Sequence, residues 1–139
     1  MAEAELDGIE IVSSMGYLPS QFLNPRLNRR EDEFGGSFEG RLKFLREILQ
    51  RTRKKIGADM VLGIRISADE MDDEGLRSGE SLKALKALEA DGDIDYFNVI
   101  AATTATYAGW MYIIPHMIHQ NAYLAPLAED IKKRCLCRS

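Results

Sequence analysis

Apolar positions along the chain fall into two patterns, short continuous runs and longer stretches at helical spacing. "GIEIV" (Gly8 to Val12) is a short β-branched run and predicts a buried strand. From Phe38 to Ile56, the positions Phe38, Leu42, Leu45, Leu49, Thr52 and Ile56 recur at helical spacing. Ser37 stands before them as an N-cap and Gly57 after them as a C-cap, with Lys54 and Lys55 in the last turn. "MVLGIRI" (Met60 to Ile66) is nearly all apolar, as a parallel strand covered on both faces should be, and Arg65 interrupts it near its C-terminal end. A second helix is predicted over Glu80 to Ala90, with Leu82, Leu85 and Leu88 on one side. A third strand follows over "IDYFNVI" (Ile94 to Ile100). After a long loop through Trp110 to Gln120, a final helix of about Ala122 to Lys133 aligns Leu124, Leu127 and Ile131. Strands alternating with helices imply an α/β fold with a parallel sheet and right-handed crossovers.

One stretch escapes both patterns. "GYLPSQFLNPRLNRREDEFGGSFEGR" (Gly16 to Arg41) is polar and turn-rich, yet it carries Leu18, Phe22 and Leu23. An irregular segment of this length in a compact domain signals function or disorder. Its spread of aromatic and apolar residues argues against disorder. In parallel α/β folds, ligands bind beyond the C-terminal ends of the strands. Three stretches lie there, namely "SSMGY", Arg65 with "SADE", and "AATTATYAGW".

Composition narrows the function. The chain has 139 residues, for which one domain is the prior. Its net charge is -4 without a dominant basic block, which speaks against nucleic acid as a partner. No apolar run is long enough to cross a membrane. "MAEAELDG" lacks the charged-then-apolar order of a signal peptide, and a cytoplasmic location is expected. Cys135 and Cys137 suit neither a disulfide framework nor a zinc site. His116 and His119 have no accompanying carboxylate motif, so no metal site is expected. "DEMDDE" lacks the spacing of a calcium loop and reads as a solvated loop, while Tyr107, Trp110 and Tyr112 read as local packing.

"DGIEI", the Gly16 to Arg41 stretch, "GIRIS" and "DYFNV", in that order, resemble the flavin-dependent Old Yellow Enzyme family of NADH:flavin oxidoreductases. The closest branch is the one holding trimethylamine dehydrogenase and the 2,4-dienoyl-CoA reductases. Its signature, GYL-x-x-QFL-x-P-x-x-N-x-R-x-D-x-[YF]-GGS-x-E-x-R, is present here almost in full, and the resemblance runs from about Asp7 to Lys133. It implies a TIM (β/α)₈ barrel, FMN as cofactor, NAD(P)H as an available electron donor, and an enone or amine as small-molecule substrate. It implies that Tyr17 lies over the flavin and donates a proton, as a weakly acidic phenol can. Arg65 matches the strand-end arginine at the pyrimidine edge of the flavin, where a fixed cation stabilises the reduced ring. Asn28, Arg30, Asp32 and Arg41 match signature positions expected to hold the long loop together.

The chain also departs from the family pattern. The substrate-binding polar pair, often His with His or Asn, is replaced by Val12 and Met15, neither of which donates a useful hydrogen bond. A complete barrel needs roughly 200 or more residues. About three βα units are expected here, matching the fourth to sixth of the family, in a segment over residues 1–133 with an unstructured tail over 134–139. The ending "KKRCLCRS" resembles no family segment and reads as a truncated or frame-shifted frame, and the long members' iron–sulphur cysteine motif is not reproduced. Two open sheet edges would invite pairing with a second copy or a complementing chain. The expectation is thus a segment of an FMN-dependent oxidoreductase that alone binds FMN weakly or not at all. The alternative is a non-catalytic remnant or interaction module.

Overall fold

The computed structural model describes residues 5–115, 117 and 119–135. Three strands, β1 (Gly8–Ser13), β2 (Val61–Ser67) and β3 (Tyr96–Ile100), form a parallel sheet in the order β1-β2-β3. Two long helices make the crossovers, α2 (Phe38–Ile56) between β1 and β2, and α3 (Ser78–Asp91) between β2 and β3. A strand order that follows the chain, with right-handed crossovers, puts both helices on one face of the sheet.

That face is the core. Leu62, Ile64 and Ile66 of β2 pack with Leu42, Leu45 and Leu49 of α2, with Leu85 and Leu88 of α3 and with Phe97 of β3. Ile131 of the last helix, α5 (Ala125–Arg134), and Cys135 join the same cluster. Helix α2 is capped as expected. Ser37 Oγ accepts from Gly40 N–H at 3.1 Å, and Gly57 follows with φ +80°.

The structure corrects the expected elements in several places. A short helix, α1 (Leu18–Leu23), sits inside the stretch that reads as irregular, and α4 (Tyr107–Ile113) enters the expected long loop. Both are too short for a helical period to emerge from the sequence. Pro19 near the start of α1 fixes its first turn, and Thr106 Oγ1 caps α4 by accepting from Gly109 N–H. Helix α5 starts at Ala125 rather than Ala122 and ends at Arg134, one residue past the expected boundary, with Cys135 buried behind it. Residues 136–139, including Cys137, and His116 lie outside the described residues.

The Gly16 to Arg41 stretch is held by specific bonds, as its signature residues suggest. Asn28 Nδ2 donates to the carbonyls of Phe22 and Phe34, at 2.8 and 2.7 Å. Arg41 donates to the carbonyls of Leu23 and Gly36, and Arg30 pairs with Asp32, whose Oδ1 accepts from Phe34 N–H. The apolar residues anchor it too, because Phe22 stacks on Phe44 of α2 with ring centroids 4.0 Å apart. Gly35 is required by close approach, since a Cβ there would lie 2.2 Å from the Arg30 carbonyl oxygen.

Candidate functional site

The alternate side chains of the strands form the second face of the sheet. In the parallel register, Glu10 lies level with Gly63 and Gly63 with Tyr96, while Val12 lies level with Arg65 and Arg65 with Asn98. These positions share one face because side chains alternate along a strand. No apolar layer covers it among the described residues. Its side chains are half-buried, and the Arg65 side chain retains 38% of its exposure.

Four polar groups interlock there. Arg65 Nη2 pairs with Glu10 Oε1 at 2.8 Å. Glu10 Oε2 accepts from the Tyr96 hydroxyl at 3.0 Å and from Asn98 Nδ2 at 2.9 Å. Burial and, secondly, the Glu10 carboxylate push the Tyr96 phenol above its ordinary pKa. Arg65 Nε is buried with no partner.

At the C-terminal ends of the strands the three following loops are stitched together across Ser67. Ser67 Oγ donates to the Ala102 carbonyl at 2.9 Å and accepts from Met15 N–H at 3.4 Å. The Met15 carbonyl accepts from the Thr104 hydroxyl at 2.6 Å and from Thr104 N–H at 3.2 Å. Met15 and Ala102 both hold left-handed backbone, at φ +56° and +76°. Non-glycine residues in this region are costly and gather where surrounding contacts over-determine them, often at functional ends.

Of the expected site residues, Val12 and Arg65 are direct neighbours across β1 and β2, and Met15 lies at the mouth of the same sheet end. Tyr17 follows at the start of α1. Its backbone is tied to Ser14 and Gln21, and its side chain is exposed, with no hydrogen bond to its hydroxyl among the described residues. Arg65 and Tyr17 thus both lie toward the C-terminal end of the sheet.

Other expectations need correction. "DEMDDE" is not simply solvated, because Asp69 and Glu70 are buried. Glu70 Oε2 accepts from Asn24 Nδ2 at 3.0 Å and from Leu76 N–H at 2.7 Å, which joins the long loop to the loop after β2, and burial raises its pKa. Asp69 accepts from Met71 N–H and from Ser78 N–H at the start of α3. Tyr107 and Trp110 are not packed but largely exposed, whereas Tyr112 does pack, with His119 tilted against it. Sequence reasoning also missed Glu10. The available signal was a carboxylate inside an apolar strand, two residues before Val12 and so on the same face as Arg65.

No group of histidine, cysteine or carboxylate residues able to hold a metal is found among the described residues. Among the same residues no helix is long and apolar enough to cross a membrane.

The model of the NADH:flavin oxidoreductase / NADH oxidase family matches residues 1–111. The chain belongs to this family. The N,N-dimethylglycine/sarcosine dehydrogenase of Chromohalobacter salexigens is 36% identical over 130 residues, covering 94% of this chain and 19% of that protein. The NADH oxidase of Thermoanaerobacter brockii is likewise 36% identical over 130 residues, with the same coverage. Among solved structures, a complex of 2-naphthoyl-CoA reductase with 2-naphthoyl-CoA superposes with a TM-score of 0.81 at 29% identity, over 95% of this chain and 19% of that one. The chain therefore spans about a fifth of the length of these family members. Its three βα units correspond to part of a TIM-barrel oxidoreductase.

Proposed function

We propose that this chain supplies one wall of the flavin and substrate site of an FMN-dependent NAD(P)H oxidoreductase acting on an enone or an amine. The observation that carries the reading is Arg65, a guanidinium on the uncovered sheet face with a buried, unpartnered Nε–H. Such a donor matches the acceptor atoms of the flavin pyrimidine edge, so the residues present fit that part of FMN. When bound, FMN supplies hydride transfer. Arg65 then holds and orients the ring edge. Tyr17, at the rim, has a free hydroxyl that could pass a proton to a substrate from the open side.

The substrate class follows from Val12 and Met15. Both leave the rim beside Arg65 apolar, which disfavours tight polarisation of a substrate carbonyl and suits an apolar or amine substrate better than a simple enone. The named activity of the dimethylglycine/sarcosine relative supports an amine, and that of the naphthoyl-CoA reductase supports a conjugated acyl substrate. Val12 and Met15 are equally the observation that favours the second reading, a module with no activity of its own.

Titration of the purified chain with FMN, followed by flavin fluorescence quenching, tests the proposal. Three units offer only part of a cofactor site, so binding is expected in the millimolar range. Arg65→Ala should weaken it about tenfold, equivalent to ~1.4 kcal/mol. Superimposable curves for the two proteins, flat ones included, would contradict it.

A further inference from the structure

We propose that Glu10 is the positioning residue for Arg65, fixing the guanidinium on the uncovered sheet face. The proposal uses the flavin reading only for the identity of the ligand. The hold of Glu10 on Arg65 stands on geometry alone.

The carboxylate is engaged on both oxygens by donors from both other strands. Oε1 takes Arg65 Nη2 at 2.8 Å, and Oε2 takes Tyr96 Oη at 3.0 Å and Asn98 Nδ2 at 2.9 Å. Glu10 is on β1 and Tyr96 on β3, so this bond spans the whole sheet and crosses β2. It can do so because the intervening position is Gly63. A Cβ at Gly63 would lie 2.1 Å from Tyr96 Cζ and 2.6 Å from its hydroxyl. The glycine therefore opens the channel through which the phenol reaches Glu10. With its carboxylate pinned from the far side, Glu10 cannot swing away, and Arg65 is fixed through Nη2. Only Nε is left without a partner in a buried position.

A guanidinium held through Nη2 keeps its other N–H groups, Nε–H among them, as directional donors. These suit a carbonyl oxygen or a ring nitrogen. An ordinary ion pair on a solvated surface would be loose, would leave no buried orphan donor and would need no glycine on the strand between.

The test is nitrogen-15 NMR of the Arg65 Nε–H in the intact 139-residue chain, without ligand. In the unaltered protein the Nε–H should give one resolved, slowly exchanging resonance. In Glu10→Gln its solvent exchange should be faster by about tenfold or more, the loss of a charge-assisted hydrogen bond, while the amide signals of Leu62, Ile64 and Ile66 stay in place. Tyr96→Phe keeps the ring over Gly63 and deletes one donor to Glu10, and should accelerate exchange in the same direction by a smaller factor. Unchanged exchange in a folded Glu10→Gln or in Tyr96→Phe would overturn the proposal. A second arm adds FMN, which should shift the Nε–H. An Nε–H that FMN fails to move counts instead against the flavin reading of the site.

Discussion

On one side of β2, Leu62, Ile64 and Ile66 are almost fully buried with the leucines of α2 and α3. On the other side, one residue along in each case, Gly63, Arg65 and Ser67 carry no apolar load. Gly63 makes room, Arg65 offers a donor, and Ser67 ties the following loops to one another. The two faces share a backbone, so the comparison isolates what the side chains do. The helix-covered face should control stability. The uncovered face should control recognition, and its residues should be nearly silent in unfolding.

The sharpest break of this comparison is Ile64→Ala. Ile64 is fully buried, and truncation should cost about 2–5 kcal/mol in urea unfolding. A loss below that range would mean that the leucine layer does not bear on this strand as described.

Glu70→Ala comes next, and it marks the exception, a polar group inside the packed part. Removal strands Asn24 Nδ2 and Leu76 N–H, which should cost about 1–3 kcal/mol. Glu70 also sets a pH signature. Its folded pKa is raised above the ordinary carboxyl value of 4.5, chiefly by burial, so its contribution is fully present below that value and is lost as pH rises through the raised folded value. Asp32, Asp72 and Asp95, whose pKa values are lowered, act in the opposite sense. The difference between the unaltered chain and Glu70→Gln isolates the contribution of this carboxyl. Stability curves of the two that run parallel from mildly acidic pH to neutrality would contradict it.

The smallest expected effect belongs to Arg65→Ala. Its pair with Glu10 is half-exposed, and such pairs contribute about 0–1 kcal/mol. The same substitution should nonetheless remove most of the ligand response. A large loss of stability would make Arg65 part of the scaffold and collapse the distinction between the faces.

Much of this division was legible in the sequence. The apolar runs and the leucine spacings located β1 to β3, α2 and α3, because burial on one face writes a period into the chain. The signature from Gly16 to Arg41 located the loop, and Asn28, Arg30, Asp32 and Arg41 do hold it. What stayed hidden depends on pairs far apart in sequence. Glu10 meets Tyr96 and Asn98 only through the register of three strands and the missing side chain of Gly63. Glu70 reads as one acid among several in "DEMDDE", because its burial depends on Asn24 in another loop. Short helices such as α1 and α4 leave no period to detect. The exposure of Tyr107 and Trp110 could not be read from residue type, since aromatic residues occur on both sides of that boundary.

Amide chemical-shift mapping during an FMN titration of the isotopically labelled chain tests the central claim most directly. The account predicts shifts confined to the uncovered face and its rim, at Val12, Met15, Tyr17, Arg65 and Asn98, and greatly reduced in Arg65→Ala. Shifts centred on the helix-covered face, or on α2 and its Ser37 cap, or no shifts at millimolar FMN, would contradict it.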